Sequence, residues 1–430
     1  MRILRTAGIA AMLCLPAVAA GFEMTEDILW PDDGRFPAYP QEPDPRTVQF
    51  FVSGGLYHDD NIFRLSDSTV VPAGVSKSDT IYRIGARLRA DVPISRQRIV
   101  LDGRVDNYTF DKNGLLDHVD YRGTARWLWQ AGPLFTGDLG YSRRRYLGDL
   151  GEINAPLKDM ITEDRIFGSA GFMVTPRWRV RGAADWGEWD HSAATRTTLN
   201  LEVTSVTVGL DYVTPLNNHL GLQHKQSHGK YPNRQPITGT TTVANSYDEG
   251  ETSAVLRWNI TGKSVLNARA GYTKREHDEV PARDFDGFTG RVNLDWEAGA
   301  KTILHGAVWR EIRSVDELAT LEQAAASYVL STGLSIGPSW APTSKLVFQA
   351  SYIHEKREYE GDPGAAFGVF PGTPGVQRED TFNGLRLAAG YAPRRNIRVS
   401  LAYERGDRDS NITLRDYEYN RVSANARFQF

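Results

Sequence analysis

The sequence predicts an all-β protein, a transmembrane antiparallel up-and-down β-barrel of about 18 strands. Three observations predict it. From about Thr47 to the end, segments alternate apolar and polar residues with period 2. The connections between them alternate between short turns and longer polar loops. The chain ends on an alternating segment whose last residue is Phe430.

Before the barrel, the N-terminus reads as a secretory signal over residues 1–20. Arg2 and Arg5 are followed by an apolar stretch from Ala7 to Ala20, with Ala17-Val18-Ala19 as a small-x-small cleavage pattern. A lipoprotein signal centred on Cys14 is the rival reading, although Met12-Leu13 is a poor lipobox. Cys14 is the single cysteine, so a processed chain has no disulfide or thiol chemistry. Residues 21–46 are rich in Pro and Asp and read as a periplasmic N-terminal extension. The barrel is assigned to residues 47–430.

Nothing in the composition suggests a polytopic helical membrane protein. The net charge is −3 over 430 residues, and 40% are hydrophobic. Mean hydropathy is −0.42. A barrel escapes hydropathy filters because only alternate residues meet lipid.

The alternation assigns each strand two faces. Over 82–92, Tyr82, Ile84, Ala86 and Leu88 point to lipid, with Arg83, Arg87, Arg89 and Asp91 inward. Over 120–130, Tyr121, Trp127 and Trp129 point outward, against Arg122 and Arg126. Over 288–296, Phe288, Val292 and Trp296 oppose Arg291 and Asp295. Over 395–406, Val399, Leu401 and Tyr403 oppose Arg398 and Glu404. The same parity turns Arg104, Arg179, Arg181, Arg257, Arg269, Arg386, Arg421 and Arg427 inward.

Turn chemistry sorts the connections. Pro93-Ile94-Ser95-Arg96, Ala131-Gly132-Pro133, Thr261-Gly262-Lys263 and Ala392-Pro393-Arg394-Arg395 are short. Those at 64–78, 150–160, 231–246 and 361–376 are long and polar. Outer-membrane barrels place short turns toward the periplasm and long loops outside. Aromatic residues form two expected levels at the lipid interfaces. Trp127, Trp178, Trp258 and Trp340 lie near short turns, and Tyr141, Tyr272, Trp309 and Tyr352 lie further up. In the last segment, Val422, Ala424, Ala426, Phe428 and Phe430 share a face, and Phe428 and Phe430 read as the signal presented to the barrel-assembly machinery.

Function is expected inside the barrel. The inward acids named by parity are Asp91, Asp102, Asp106, Asp138, Asp185, Asp211, Asp295 and Glu404, fewer than the arginines. The lumen is therefore expected to be basic, with balancing acids mainly in loops, rims and the extension. Guanidinium groups bind carboxylates and phosphates at two points and draw anions into a confined channel. The other reading is that the arginines only pair with acids and fill space. Catalysis is not expected: the histidines are scattered, His224 and His228 are spaced for a helix and not a strand, and His191 with Asp190 is a chance pairing. No cofactor, metal or nucleic-acid motif is present in the sequence, and no enzyme is predicted.

The first strand runs Tyr57-His58-Asp59-Asp60-Asn61-Ile62-Phe63-Arg64. This resembles the "Y-D-D-N-hydrophobic-aromatic-R" opening of outer-membrane barrels encoded with bacterial exopolysaccharide operons, the exosortase-associated EpsL-like and β-barrel porin 2 type, with His58 inserted after the Tyr. Strand ends such as Tyr141-Ser-Arg-Arg-Arg-Tyr146 and Tyr403-Glu-Arg-Gly-Asp407 look similar. The resemblance implies export of an extracellular, acidic polysaccharide across the Gram-negative outer membrane. Its implied partners are the polymer, outer-membrane lipid and lipopolysaccharide, and periplasmic export components. An anion-preferring diffusion porin is the alternative, and a plugged structural barrel a third. Asp59, Asp60 and Asn61 have two readings, a site at the extracellular rim or a strand-to-loop turn.

Overall fold

Lipid can hydrogen-bond no backbone, so a β-protein spans a membrane only if its sheet closes on itself. The computed structural model, which describes residues 47–153, 155–238, 241–314, 328–360 and 377–430, has this closure. The expected signal segment, the extension at 21–46 and the loop at 361–376 lie outside the described residues.

In chain order the strands are β1 (Val48–Asp59), β2 (Asp79–Ile94), β3 (Gln97–Phe110), β4 (His118–Ala131), β5 (Phe135–Leu147), β6 (Met160–Met173) and β7 (Trp178–His191). Then come β8 (Leu201–Val213), β9 (His219–Lys230), the short hairpin β10 (Gln235–Thr238) and β11 (Thr241–Val243), β12 (Tyr247–Thr261) and β13 (Ser264–His277). The chain finishes with β14 (Phe285–Gly299), β15 (Thr302–Ser314), β16 (Tyr328–Thr343), β17 (Leu346–Glu360), β18 (Glu379–Arg394), β19 (Ile397–Ser410) and β20 (Tyr417–Gln429). All but β10 and β11 form one 18-stranded sheet. Each strand pairs antiparallel with its sequence neighbour, β9 pairs with β12 across the hairpin, and β1 pairs with β20 to close the cylinder. The expected fold class and strand number are those observed.

The eight short connections all lie at the end where β1 begins and β20 finishes. The β2–β3 turn needs only Ser95 and Arg96, with Ser95 at φ 58. The positive φ matches the right-handed twist of the flanking strands. Gly132, at φ 64, serves the β4–β5 turn.

Burial alternates along the strands, the exposed set facing outward and the less exposed set facing the lumen. On β8, Val206, Val208 and Leu210 are exposed while Ser205 and Asp211 are buried. The outer face also changes with height. Climbing β9 from its short turn, it reads Leu220, Leu222, His224, Gln226, His228 and Lys230. The apolar band therefore occupies the half of the wall nearest the short turns, and the strands continue above it with a polar exterior. Trp178, Trp296 and Trp340 mark the lower edge of the band and Tyr141, Tyr272 and Tyr352 the upper edge, all on the exposed face.

Trp309 corrects the sequence expectation. It is buried, on the lumen-facing set of β15 with Glu311 and Arg313. Its parity could have shown this, because Val308 and Arg310, its neighbours, are both exposed. It turns inward because Gly333, its register partner on β16, leaves room for the ring.

Candidate functional site

The inward arginines are arranged by strand register. Arg87 on β2 pairs with Arg104 on β3, Arg104 with Arg122 on β4, and Arg122 with Arg144 on β5. Neighbouring strands lie about 4.8 Å apart, so four cations stand side by side along one wall. Like charges placed opposite each other destabilise a sheet unless compensated. Carboxylates above and below the row supply the compensation. Asp102 accepts from Arg87 at 2.7 Å, Asp106 from Arg104 at 2.5 Å, and Glu163 from Arg144 at 2.5 Å. Arg83, buried above the row, also reaches Asp106, at 3.2 Å.

Around the rest of the wall, pairing is the rule. Arg126 meets Asp138 at 2.9 Å, and Arg179 and Arg181 share Asp211 at 2.6 and 3.1 Å. Arg269 binds Glu251 and Glu311, Arg291 binds Glu311 at 3.0 Å, and Arg386 binds Glu404 at 3.1 Å. The expectation that balancing acids lie mainly in loops and rims is therefore corrected. Glu163, Glu251, Glu311 and Glu355 are inside the barrel. Sequence reading missed them because Val255, Ile303 and Val347 also turn inward on those strands and blur the parity. All the arginines named from the sequence occupy the lumen-facing set of their strands. Arg398 and Arg427 are register partners, and Arg427 and Arg87 flank the ring of Phe51 at 5.2 and 5.9 Å. Arg89 faces inward beside Asp102 in register, and Arg257 is exposed low in the lumen beside His219.

Higher up, arginines lie over aromatic rings. Arg275 lies 3.9 Å from the centre of Tyr247, Arg408 4.4 Å from Tyr417, and Arg291 5.1 Å from Trp309. Such contacts contribute roughly 0.5–2 kcal/mol each, and they fix the long side chains in place.

At the long-loop end, the loop after β1 packs onto lumen-facing side chains. Asp59, fully buried at the top of β1, binds Arg64 of the following loop and Arg421 of β20, both at 2.8 Å. The Asn61 side chain donates to the Leu65 and Glu418 carbonyls, and Asp60 accepts from the backbone N–H and the side chain of Asn420. Asp59, Asp60 and Asn61 therefore fasten the seam between first and last strands and turn the loop inward. Ile62, Phe63 and Leu65 then pack with Tyr57, Ile81, Phe110 and Leu116. Beside the seam, Arg408 of β19, the strand next to β20, reaches the Gly151 carbonyl in the short helix Leu150–Ile153, at 3.5 Å. His191 pairs with Asp159 at 2.6 Å, while Asp190 binds Asn200 instead.

At the other end, the Phe430 backbone N–H donates to the Phe50 carbonyl, and the two rings lie 5.7 Å apart. The terminal aromatic is thus part of the seam.

A family model described as "Putative beta-barrel porin 2" matches residues 252–430, from β12 to the closing strand. No curated protein matches the chain. Among solved structures, the outer-membrane protein OpdK of Pseudomonas aeruginosa is 11% identical, with 89% of this chain and 99% of that chain covered and a TM-score of 0.46. OccK2 (OpdF) of the same organism, in complex with glucuronate, is 10% identical over 89% and 98%, with a TM-score of 0.47. The alcaligin outer-membrane receptor FauA of Bordetella pertussis is 13% identical over 89% and 76%, with a TM-score of 0.42.

Proposed function

We propose that this barrel is an outer-membrane channel for anionic carbohydrate, and that its substrate is an acidic extracellular polysaccharide exported through the arginine-lined lumen. The observation that carries the proposal is the row Arg87–Arg104–Arg122–Arg144 on four successive strands. A wall with cations about 5 Å apart offers a moving carboxylate a new partner before the last is lost, which is how multi-site conduction avoids trapping its cargo. The carboxylates beside the row keep each site weak, because a guanidinium already paired gives up only part of its hydrogen bonding.

The resemblance of residues 57–64 to exopolysaccharide-associated barrels supports the choice of substrate, and the family match over 252–430 supports the channel. Periplasmic export components would feed the polymer, and transport down such a wall needs no cofactor. Replacing Arg87, Arg126 and Arg291 together should lower secreted polymer while leaving a folded barrel. Unchanged secretion by a folded triple variant would remove this reading.

A diffusion porin selective for small anions is the second reading, favoured by the extensive ion pairing of the lumen, which leaves few cations for a polymer. Planar-bilayer recording separates the two: a constitutively open pore supports the porin, and a channel shut at the 60–78 loop supports export.

A further inference from the structure

Ion pairing in the lumen lapses at two places on one wall. Of the ten lysines in the sequence, Lys225 alone sits on the lumen-facing set of a described strand, half-buried on β9. Its register partners are Thr207 on β8 and Glu251 on β12. Glu251 is held by Arg269 instead, and Lys225 pairs with no carboxylate among the described residues. On β12, Arg257 is exposed to the lumen opposite His219 in register. It too has no carboxylate partner among the described residues.

The surface between these two cations is uncharged. Gly221 and Gln223 line it on β9, and Ser253 and Val255 on β12. His219 and Lys225 are six residues apart on one strand, which is about 20 Å. The acids bordering this stretch are already taken: Asp211 by Arg179 and Arg181, Glu251 by Arg269, and Glu249 by Arg275 at 2.7 Å. Gln223 accepts from Arg181 at 2.6 Å through its oxygen, which leaves its N–H donors unused among the described residues. The buried hydroxyls of Ser205, Ser227 and Ser253 likewise make no hydrogen bond there.

We propose that this β9–β12 wall is the carboxylate-binding track of the lumen, anchored by Lys225 above and Arg257 below, and that it takes an acidic oligosaccharide. The inference rests on the channel reading and assigns the binding site within it. A guanidinium beside a carboxylate has its charge cancelled and part of its donor set committed, whereas an unpaired ammonium offers a full charge and three donors. Low-dielectric walls focus that charge into the channel. Each contact alone is weak, because both cations are hydrated. One chain that reaches both gains affinity by linkage, without any new contact. The amide and hydroxyls between the anchors match sugar hydroxyls lying between carboxylates. They offer nothing to a chain charged at every unit.

The test measures equilibrium binding of hexagalacturonate to the full chain, refolded in detergent, at low salt. Galacturonate, neutral maltohexaose and linear polyphosphate are the comparison ligands, and heat-modifiable gel mobility checks folding. Hexagalacturonate should bind more tightly than galacturonate, and maltohexaose should not bind. Lys225→Gln and Arg257→Gln should each weaken hexagalacturonate by about tenfold or more, as expected when one of two linked contacts is lost. Lys225→Arg keeps the charge and should stay within about threefold of the unaltered protein. Lys230→Gln, on the outer face of the same strand, should change nothing. Unchanged affinity in a folded Lys225→Gln or Arg257→Gln variant would overturn the track, as would failure of the unaltered barrel to bind hexagalacturonate. Tighter binding of polyphosphate at equal charge would assign the wall to phosphate and overturn it equally. Because binding is read without flux, a shut pore does not hide the site. The expected binding pattern in a barrel that never conducts supports the track while ending the channel reading.

Discussion

Asp59 and Arg421 stand 362 residues apart in sequence and are joined by a 2.8 Å contact across the line where the barrel closes. The same carboxylate also receives Arg64, whose backbone is left-handed at φ 53 and whose guanidinium lies 3.5 Å from the centre of the Tyr419 ring. One buried anion thus holds the seam and the inward fold of the first loop together.

Asp59→Asn leaves two buried guanidiniums short of their counter-charge. Removing one partner of a buried ion pair costs about 3–5 kcal/mol. Asp60→Ala, which removes exposed hydrogen bonds to Asn420, should cost about 1 kcal/mol. Denaturant titration of the refolded barrel in detergent measures both, and equal losses would deny Asp59 its special place. The loop packs on lumen-facing Tyr57 and Ile81, so freeing it by Asp59→Asn should also raise single-channel conductance.

Arg122 is the member of the basic row most exposed to the lumen. Arg122→Ala should reduce anion preference, read as a shift of the reversal potential toward zero in a salt gradient. The exposed Arg405, on the outer face of β19, is the control, and Arg405→Ala should leave the potential unchanged. An unaltered potential in the Arg122 variant would show that the row does not face the conducting path.

The inward position of Trp309 makes Gly333 a constrained site. A Cβ there would collide with the indole and with the His354 carbonyl, whereas a Cβ on Gly103 would meet nothing within 4 Å. Gly333→Ala should therefore destabilise the barrel by about 1–3 kcal/mol, and Gly103→Ala should be neutral or slightly stabilising. Trp309→Phe removes the 2.8 Å hydrogen bond to Ser331 and should cost about 1 kcal/mol. Trp309 fluorescence quenched by lipid-borne bromine would contradict its place in the lumen.

At the loop following β7, Asp159 is fully buried beneath Arg196 and Ala193. Burial alone would raise its carboxyl. The hydrogen bonds from His191 and the Ala193 N–H, with the Arg196 charge, more than reverse this and hold it below the usual carboxylate range. A depressed folded pKa means that the stabilisation is complete above the unfolded value near 4 and is lost as pH falls through the folded value. Hydrogen exchange in residues 192–200 should be slow and flat from about pH 8 to 5, after correction for intrinsic rates, and should rise below about pH 4. Asp159→Asn should give fast exchange throughout. Equal protection in the variant would mean that the carboxylate does not hold the loop.

What the sequence determined was everything local. Period 2 set which residue of each pair meets lipid, because successive side chains on a strand point to opposite faces. Turn residues such as Ser95-Arg96 and Ala131-Gly132 set the strand ends, and with them the count of 18 and the side on which the short turns lie. The tertiary structure decided what meets what. That Arg122 stands between Arg104 and Arg144, that Glu311 serves both Arg269 and Arg291, and that Asp59 closes on Arg421 all depend on inter-strand register and on closure of the cylinder. Those are sums over many distant backbone hydrogen bonds, and no window of sequence contains them. Trp309 shows the boundary between the two: its parity was written in the chain, but the space that accepts its ring is made by Gly333 on the next strand.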